Sequence, residues 1–489
     1  MHASPVSRLA AAGLLSLALG TAFVGGRATI TAAAPDVPAA PARPDLVAAS
    51  VPTSGYSAVV DRVAPAVVTL RVQRRVEASQ TALPAPLREF FGRGFGDERR
   101  PRREGGLGSG VFIRDDGYLL TNHHVVDGAD RIQVELADGR TLAGTVVGTD
   151  PASDLAVVRV DAKGLPTVGY GDSNAVKVGD VVLAFGNPLG VGQTVTMGIV
   201  SAKGRATGVG DGSYEDFLQT DAPINQGNSG GALVDTAGRL VGINAQIVSP
   251  SGGNIGLGFA IPSAMARAVA DQLITDGVVR RAKLGVVAQS LSPDLAASLG
   301  LPDAHGALVS RVEDGSPAAK AGLRQGDVIT AIDGTPVADA NVLRNTVAGL
   351  RPGSATTLAV QRDGQRKEFT AHVVQREDER PARASTRGGD DDHADAAVGM
   401  TVAPVTAELA RELRVKASDG IAVMDVDPDG AAAAAGLRPG DVITRVNGKE
   451  VHSVAALKSA LDASGSKPAL VLVTRQGESV FVALSRDRA

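Results

Sequence analysis

An internal repeat limits what this chain can fold into more than any other feature. Ala321–Val337 reads AGLRQGDVITAIDGTPV and Ala435–Val451 reads AGLRPGDVITRVNGKEV, an offset of 114 residues. Gly306 and Gly420 match at the same offset without a gap. A period that long lies beyond the range of solenoid units and fits two copies of a small domain. The 489 residues suggest roughly three domains at ~150 residues each. The repeats supply two, so another domain must precede them.

The preceding region, 107–262, alternates short apolar segments with Gly and Asp turns. Ser109–Arg114, Tyr118–Thr121, Ile132–Leu136, Leu155–Val160, Val181–Ala184, Leu233–Val234 and Leu240–Ala245 read as strands. Many short strands with regular turn signals predict an all-β barrel or sandwich. Residues 263–279 read as a helix, with Ser263 able to cap it. Residues 73–106 carry Pro, Gly, charge and three Phe, and read as a long loop, which in a compact domain usually serves function. The organisation expected is a β domain over 56–275, repeat domains over 280–376 and 398–486, and an acidic linker over 377–397.

The amino terminus reads as an export signal. Arg8 precedes the uncharged stretch Leu9–Val24, and small residues follow around Ala32–Ala34. That pattern fits a secretory signal peptide over 1–33, followed by a Pro/Ala-rich linker over 34–55. The apolar run is shorter than the ~20 residues a membrane span needs. An uncleaved anchor remains an alternative, and peripheral membrane association stays open. Net charge is −4, so no basic field exists to attract nucleic acid. The Arg-rich run at 99–103 lacks an aromatic or helical frame and reads as a solvated loop. The chain has no cysteine, which excludes thiol catalysis, disulfides and Cys-based zinc sites. His393 beside Asp390–Asp392 reads as a solvated linker rather than a metal ligand. With no Walker loop and no metal-ligand cluster, no cofactor is expected.

One motif carries nucleophile chemistry. Ser229 lies in Gly227-Asn228-Ser229-Gly230-Gly231. A serine hydroxyl needs a base to take its proton and backbone donors aimed at the developing oxyanion. Glycines on both sides permit the tight turn that collects such donors, although Gly-Ser runs also occur as plain turns. Seven histidines exist. One lies in the export signal and four in or beside the repeats, which leaves His123 and His124. Asp154 opens a strongly apolar strand, where a carboxylate calls for a partner, and it can orient an imidazole.

The order His, Asp, Ser is that of chymotrypsin-like proteases. More closely, TNHHVV (121–126), DLAV (154–157), QTDAPINQGNSGGALV (219–234) and GGNIGLGFAIP (252–262) resemble the HtrA/Deg (protease Do) family of bacterial envelope serine proteases. The resemblance spans residues ~55–485 and identifies the repeats as similar to PDZ domains. It implies a mainly β fold: a chymotrypsin-like double β-barrel followed by two α+β PDZ domains.

By resemblance, His124 is the base, Asp154 its orienting carboxylate and Ser229 the nucleophile. His123 falls where the family more often has Asn. Gly227, Asn228 and Ser229 form the oxyanion turn, with donors from the N–H groups of Gly227 and Ser229. Pro223 and Ile224 fall at the base of the specificity pocket, and Ala245, Gln246, Ile247 and Val248 at its wall. No charge lies there, which implies cleavage after small aliphatic residues. Lys283, Leu284, Gly285 and Val286 match a PDZ carboxylate-binding loop, and Val398–Thr401 is a looser counterpart. The 73–106 segment corresponds to a lid-like loop. Ser201–Asp216 corresponds to a sensor loop whose Arg205 faces the first PDZ domain.

The resemblance further implies a periplasmic enzyme acting on unfolded proteins, binding C-terminal peptides and assembling as a homotrimer or larger cage. Two rival readings are a PDZ-based chaperone with minor proteolysis and a regulatory protease that cuts one anchored signalling protein.

Overall fold

The computed structural model describes residues 55–76, 102–187, 192–207, 214–249, 253–376, 394–396, 398–413, 415, 420–465 and 467–485. The predicted signal segment, nearly all of the 34–55 tether, residues 77–101 of the long loop and residues 377–393 of the acidic linker fall outside that set.

Twelve strands build two closed barrels. The first contains β1 (Val67–Val76), β2 (Arg102–Phe112), β3 (Tyr118–Thr121), β4 (Arg131–Glu135), β5 (Thr141–Asp150) and β6 (Leu155–Val160), in the order β1-β2-β3-β6-β5-β4. The second contains β7 (Val181–Gly186), β8 (Thr194–Arg205), β9 (Phe217–Thr220), β10 (Ala232–Asp235), β11 (Leu240–Ile247) and β12 (Gly258–Pro262), in the order β10-β11-β12-β9-β8-β7.

The period-2 alternation of a strand sorts the apolar residues between three cores. In β6, Ala156, Val158 and Val160 fill the first barrel with Leu70, Phe112 and Val134. The intervening Leu155 and Val157 face the other way, into the seam between the barrels. In β7, Val182 and Ala184 fill the second barrel with Val200 and Leu218, while Leu183 and Phe185 join the same seam. These strands are apolar on both faces because both faces are covered, which explains why they read as continuous runs. The helix Ser263–Asp276 seals the seam with Ala266, Val269, Ala270 and Leu273, the i, i+3, i+4, i+7 stripe of a helix packed on one side. It ends at Gly277 in the left-handed conformation (φ 72°), whose N–H bonds Leu273 O at 3.1 Å, so it stops short of the predicted residue 279.

Two loop expectations change. The 73–106 segment is strand at both ends: β1 and β2 stay in register from Val67↔Val111 to Val76↔Arg102. Arg102 and Arg103 of the basic run are therefore ladder residues, carried by cross-strand pairing that charge alone did not reveal. Similarly, Ser201–Arg205 is the end of β8 rather than loop, with Arg205 opposite Phe217.

Each repeat forms a small sheet with short helices. In the first, β13 (Ala282–Lys283) pairs with β20 (Val374–Gln375). β14 (Val286–Ser290), β15 (Ala307–Val312), β16 (Val328–Ile332), β18 (Ala355–Arg362) and β19 (Gln365–His372) make the sheet, with the short β17 (Thr335–Pro336) beside β16. The helix Ala340–Gly349, capped by the Asp339 side chain, packs on the core through Leu343 and Val347.

The second repeat has β22 (Met400–Pro404), β23 (Ile421–Val426), β24 (Val442–Val446), β26 (Ala469–Arg475) and β27 (Glu478–Leu484), with β25 (Lys449–Glu450) beside β24. Its sheet gains one strand from the presumed acidic linker. β21 (Ala394–Ala396) runs antiparallel to β22, from Ala394↔Val402 to Ala396↔Met400. The helix Val454–Asp462 packs through Leu457 and Leu461. The repeats meet through an apolar cluster of Leu291, Leu295, Leu308, Val328, Leu472 and Phe481.

Candidate active site

The seam between the barrels gathers the three chemistry-bearing residues. His124 lies in the single helical turn His123–Val126 that follows β3, and Asp154 immediately precedes β6. The pairing of β3 with β6, Thr121↔Ala156 at its end, brings these two positions together although they are 30 residues apart in sequence. His124 Nδ1 lies 2.7 Å from Asp154 Oδ2, and the His124 backbone N–H donates to Asp154 Oδ1 at 3.0 Å. Asp154 O accepts from His123 N at 3.1 Å and Asn122 Nδ2 at 2.9 Å. Asp154 adopts φ 54°, a left-handed conformation that costs a non-glycine residue about 1–2 kcal/mol. Its four bonds to the His124 turn hold it there. His123 points elsewhere: its Nε2 lies 3.9 Å from Asp127 Oδ1, and its Nδ1 is buried without a partner among the described residues.

Ser229 comes from the second barrel, in the turn before β10. Gly230 (φ 84°) is the point of closest approach. A Cβ there would sit 2.2 Å from Ser109 O and 2.3 Å from Thr121 Oγ1, so only glycine lets this turn dock against β2 and β3. Ser109 fastens it further. Its N–H donates to Ser229 O at 2.8 Å, and its Oγ donates to Gly227 O at 2.6 Å while accepting from Asn187 N at 3.0 Å. The N–H of Asn228 is used on Asn225 O at 3.0 Å. Among the described residues the N–H groups of Gly227 and Ser229 have no acceptor.

Ser229 Oγ lies 3.0 Å from Ala245 O. That carbonyl is available because of a bulge: Asn244 pairs with Ala260 and Gln246 with Phe259, so Ala245 has no counterpart on β12. Bulges re-aim groups beside active sites in this manner. Ile224 is fully buried in the core of the second barrel, with Ile247 packed against it, and Asn254 Nδ2 donates to Ile224 O at 3.3 Å. Gln246 Nε2 donates to Thr207 Oγ1 at 3.0 Å, and Val248 is exposed. Ile224 is 0% exposed and presents no surface of its own, while Gln246 and Ile247 are half-buried.

The predicted loop Lys283–Val286 lines a groove of about 290 Å³ with Leu343, Arg344 and Val347 from the helix Ala340–Gly349. Lys283 is paired with Glu313 at 2.7 Å. Arg205 is exposed. In the 201–216 segment Tyr214 and Glu215 bond to the first repeat, Tyr214 Oη accepting from Arg376 Nη1 at 2.7 Å. Glu215 O accepts from Asn341 Nδ2 at 2.7 Å and Asn345 Nδ2 at 2.8 Å, and its carboxylate accepts from Thr207 N at 2.5 Å. Beside it, burial pushes the Asp216 carboxyl above the usual carboxylate range; Lys203 opposes that shift and Asp339 adds to it. Sequence reasoning missed Ser109, Asp150, Tyr214, Glu215 and Arg281. Only Ser109, between two glycines, carried a local signal.

Two barrels that share a seam bearing His, Asp and Ser, followed by two sheet-and-helix repeats, define a trypsin-like serine peptidase with PDZ domains. The trypsin-like peptidase domain family matches residues 108–243, and PDZ families match 282–373 and 423–475. The chain is 40% identical over 474 residues to a probable periplasmic serine endoprotease DegP-like of Brucella suis, covering 88% of this chain and 90% of the relative. It is 42% identical over 458 residues to a protein of the same description from Ectopseudomonas mendocina, covering 89% and 94%. Among solved structures, the HtrA-type protease AlgW with a decapeptide is 48% identical (TM-score 0.53) and matches over 66% of this chain and 99% of that one. The same protease with a tripeptide gives 46% identity and a TM-score of 0.55. The chain belongs to the HtrA/DegP-like family of serine endoproteases.

Proposed function

We propose that this protein is a periplasmic, ATP-independent serine endopeptidase in which His124, Asp154 and Ser229 form the catalytic triad. The supporting observation is the 2.7 Å contact of His124 Nδ1 with Asp154 Oδ2, beside a Ser229 turn whose Gly227 and Ser229 N–H groups await an acceptor. His124 Nε2 takes the proton of Ser229 Oγ as Oγ attacks the scissile carbonyl. The developing oxyanion accepts from the N–H groups of Gly227 and Ser229, with Asn228 shaping the turn. His124 then gives the proton to the leaving amine. In the second half a water attacks the acyl-enzyme, with His124 again the base, and Asp154 stabilises the imidazolium in both halves.

Apolar Ile224 with Ala245, Gln246, Ile247 and Val248 favours a small aliphatic residue before the cut. Such residues are buried in folded proteins, so unfolded chains are the natural substrates. The groove at Lys283–Val286 takes the C-terminus of a peptide as an added strand. Export through the 1–33 signal, Arg205 in the response to PDZ-bound peptide, and a trimeric or cage-like assembly complete the reading.

Ser229→Ala should lose casein hydrolysis by ~10^3-fold or more with the fold intact. His123→Asn should retain most activity, and His124→Asn should not. Activity surviving in Ser229→Ala, or depending on His123 rather than His124, sinks the assignment.

A further inference from the structure

His124 is held from two sides. Asp154 grips it in front, through Nδ1 and the backbone N–H. Arg74 grips it from behind: its Nη2 donates to His124 O at 2.8 Å and to Val125 O at 3.2 Å. The period of β1 puts Arg74 there. Val68, Leu70 and Val72 fill the first barrel, and alternation makes Arg74 the next residue of that inward row. Val125 and Val126 of the His124 turn close the same core. Gly108 makes room for them, since a Cβ there would sit 2.5 Å from Val125 Cγ1.

A single helical turn cannot satisfy all of its own carbonyls. Asn122 O accepts from Val125 N at 3.3 Å, His123 O from Asp127 N at 2.9 Å and Val126 O from Ala129 N at 3.1 Å. The two carbonyls between them, of His124 and Val125, accept from the guanidinium, and a cationic donor makes the stronger kind of bond. Arginine side chains serve the last carbonyls of helices in this way. Arg74 Nε is meanwhile buried without a partner among the described residues, a cost that only the bonds at the other end of the head offset. The grip lies within the first barrel, on a strand paired with β2 on one side and β4 on the other. It is separate from the bond of Arg281 Nη1 to Asp150 Oδ1 at 2.8 Å, which comes from the segment after the protease helix.

We propose that Arg74 is a positioning residue for catalysis: by holding the His124 and Val125 carbonyls it fixes the backbone that carries the general base, so that the imidazole meets Ser229 squarely while Asp154 holds Nδ1. Asp154 constrains the ring at one nitrogen. Without a second hold on the backbone the turn can rock about that contact, and proton transfer from Ser229 slows. The specificity wall at Ala245–Val248 belongs to the second barrel and is untouched.

This inference rests on the triad reading above, and its test separates the two. The readouts are fluorophosphonate labelling of Ser229 in the full chain, and kcat and KM on a peptide substrate. Arg74→Met keeps the apolar length of the side chain and removes its donors. It should label about 10- to 100-fold more slowly, the range expected when a reacting group is misplaced by up to about an ångström. kcat should fall by the same factor while KM holds. Arg74→Lys keeps a cationic donor without the planar head and should fall between Met and wild type. Arg74→Ala should regain labelling with added ethylguanidinium and not with tetramethylammonium, which has no N–H to donate. A wild-type labelling rate in a folded Arg74→Met overturns the proposal, as does an effect confined to KM. Rescue by neither lysine nor ethylguanidinium overturns it too, since donation to the carbonyls would then be irrelevant. If Arg74→Met and Arg74→Lys both fail to fold, Arg74 is a folding residue and the proposal falls. Failure of the wild-type protein to label at Ser229 refutes the triad instead.

Discussion

The two PDZ domains share a scaffold and differ in what surrounds it. Arg362 donates from Nε and Nη2 to the two oxygens of buried Asp327 at 2.6 and 2.7 Å, and from Nη2 to Gly322 O at 2.8 Å. Arg475 repeats this with Asp441 at 2.7 and 2.7 Å and Gly436 O at 2.8 Å. Both aspartates come from the repeated GDVIT segment, so the duplicated sequence specifies a duplicated ion pair.

The surroundings diverge at the edge strand. In the first domain β13 leaves to pair with β20, and the edge of β14 faces the groove shared with Tyr214. In the second, β21 folds back on β22, so the edge that a peptide would join already carries a strand of this chain. The first domain is also bonded to the protease through Arg281, Asn341, Asn345 and Arg376. The second touches the first, through the apolar cluster at Leu308 and Phe481. The same small fold thus serves once as a docked, open module and once as a covered one.

Three measurements can break or sharpen that contrast. The largest effect is expected from the matched ion pairs. Removing one partner of a buried pair costs about 3–5 kcal/mol, so Asp327→Ala and Asp441→Ala should each destabilise their own domain by that order in calorimetry. Only Asp327→Ala should also change the rate of casein hydrolysis, because only its domain is bonded to the protease. An equal change in both variants would erase the distinction.

A smaller effect concerns the covered edge. With a fluorescein-labelled peptide ending in Val, the first domain should bind and the second should not. Asp395→Pro, which disrupts the pairing of Asp395 with Thr401, should raise binding to the second domain at least ~10-fold, or about 1.4 kcal/mol. Unchanged binding would mean that β21 is not what closes the groove. The smallest effect belongs to Gln289, which donates to Phe481 O at 2.9 Å and accepts from Phe481 N at 2.8 Å. Gln289→Ala should weaken the contact between the two domains by about 1 kcal/mol, seen as earlier hydrogen exchange at Phe481. If Phe481 stays protected, the apolar cluster alone holds the domains together.

The short strands around Leu119, Val157 and Leu233 and the apolar stripe at Ala266–Leu273 were readable because burial leaves a periodic trace along the chain. The ends of the 73–106 and 201–216 segments were not, because Arg102–Glu104 and Ser201–Arg205 are strand through pairing with distant partners rather than through their own apolarity. Ser229, Asp154 and the choice of two adjacent histidines were likewise legible as residue types in motifs. Which ring meets the carboxylate is decided by the β3–β6 register, which puts Asp154 against the His124 turn and leaves His123 toward Asp127.

The sequence by itself determined the duplicated domain, the two apolar faces of the barrel strands and the small glycine-flanked turn that carries Ser229. All three are local or periodic, and local constraints survive in one dimension. Only the tertiary structure decided that Ala245 bulges toward Ser229, that Glu215 lies on the helix Ala340–Gly349, and that Arg281 reaches back 131 residues to Asp150. Each of these needs two elements brought together by long-range packing, and an Arg or an Asp alone in sequence carries no record of the partner it will find.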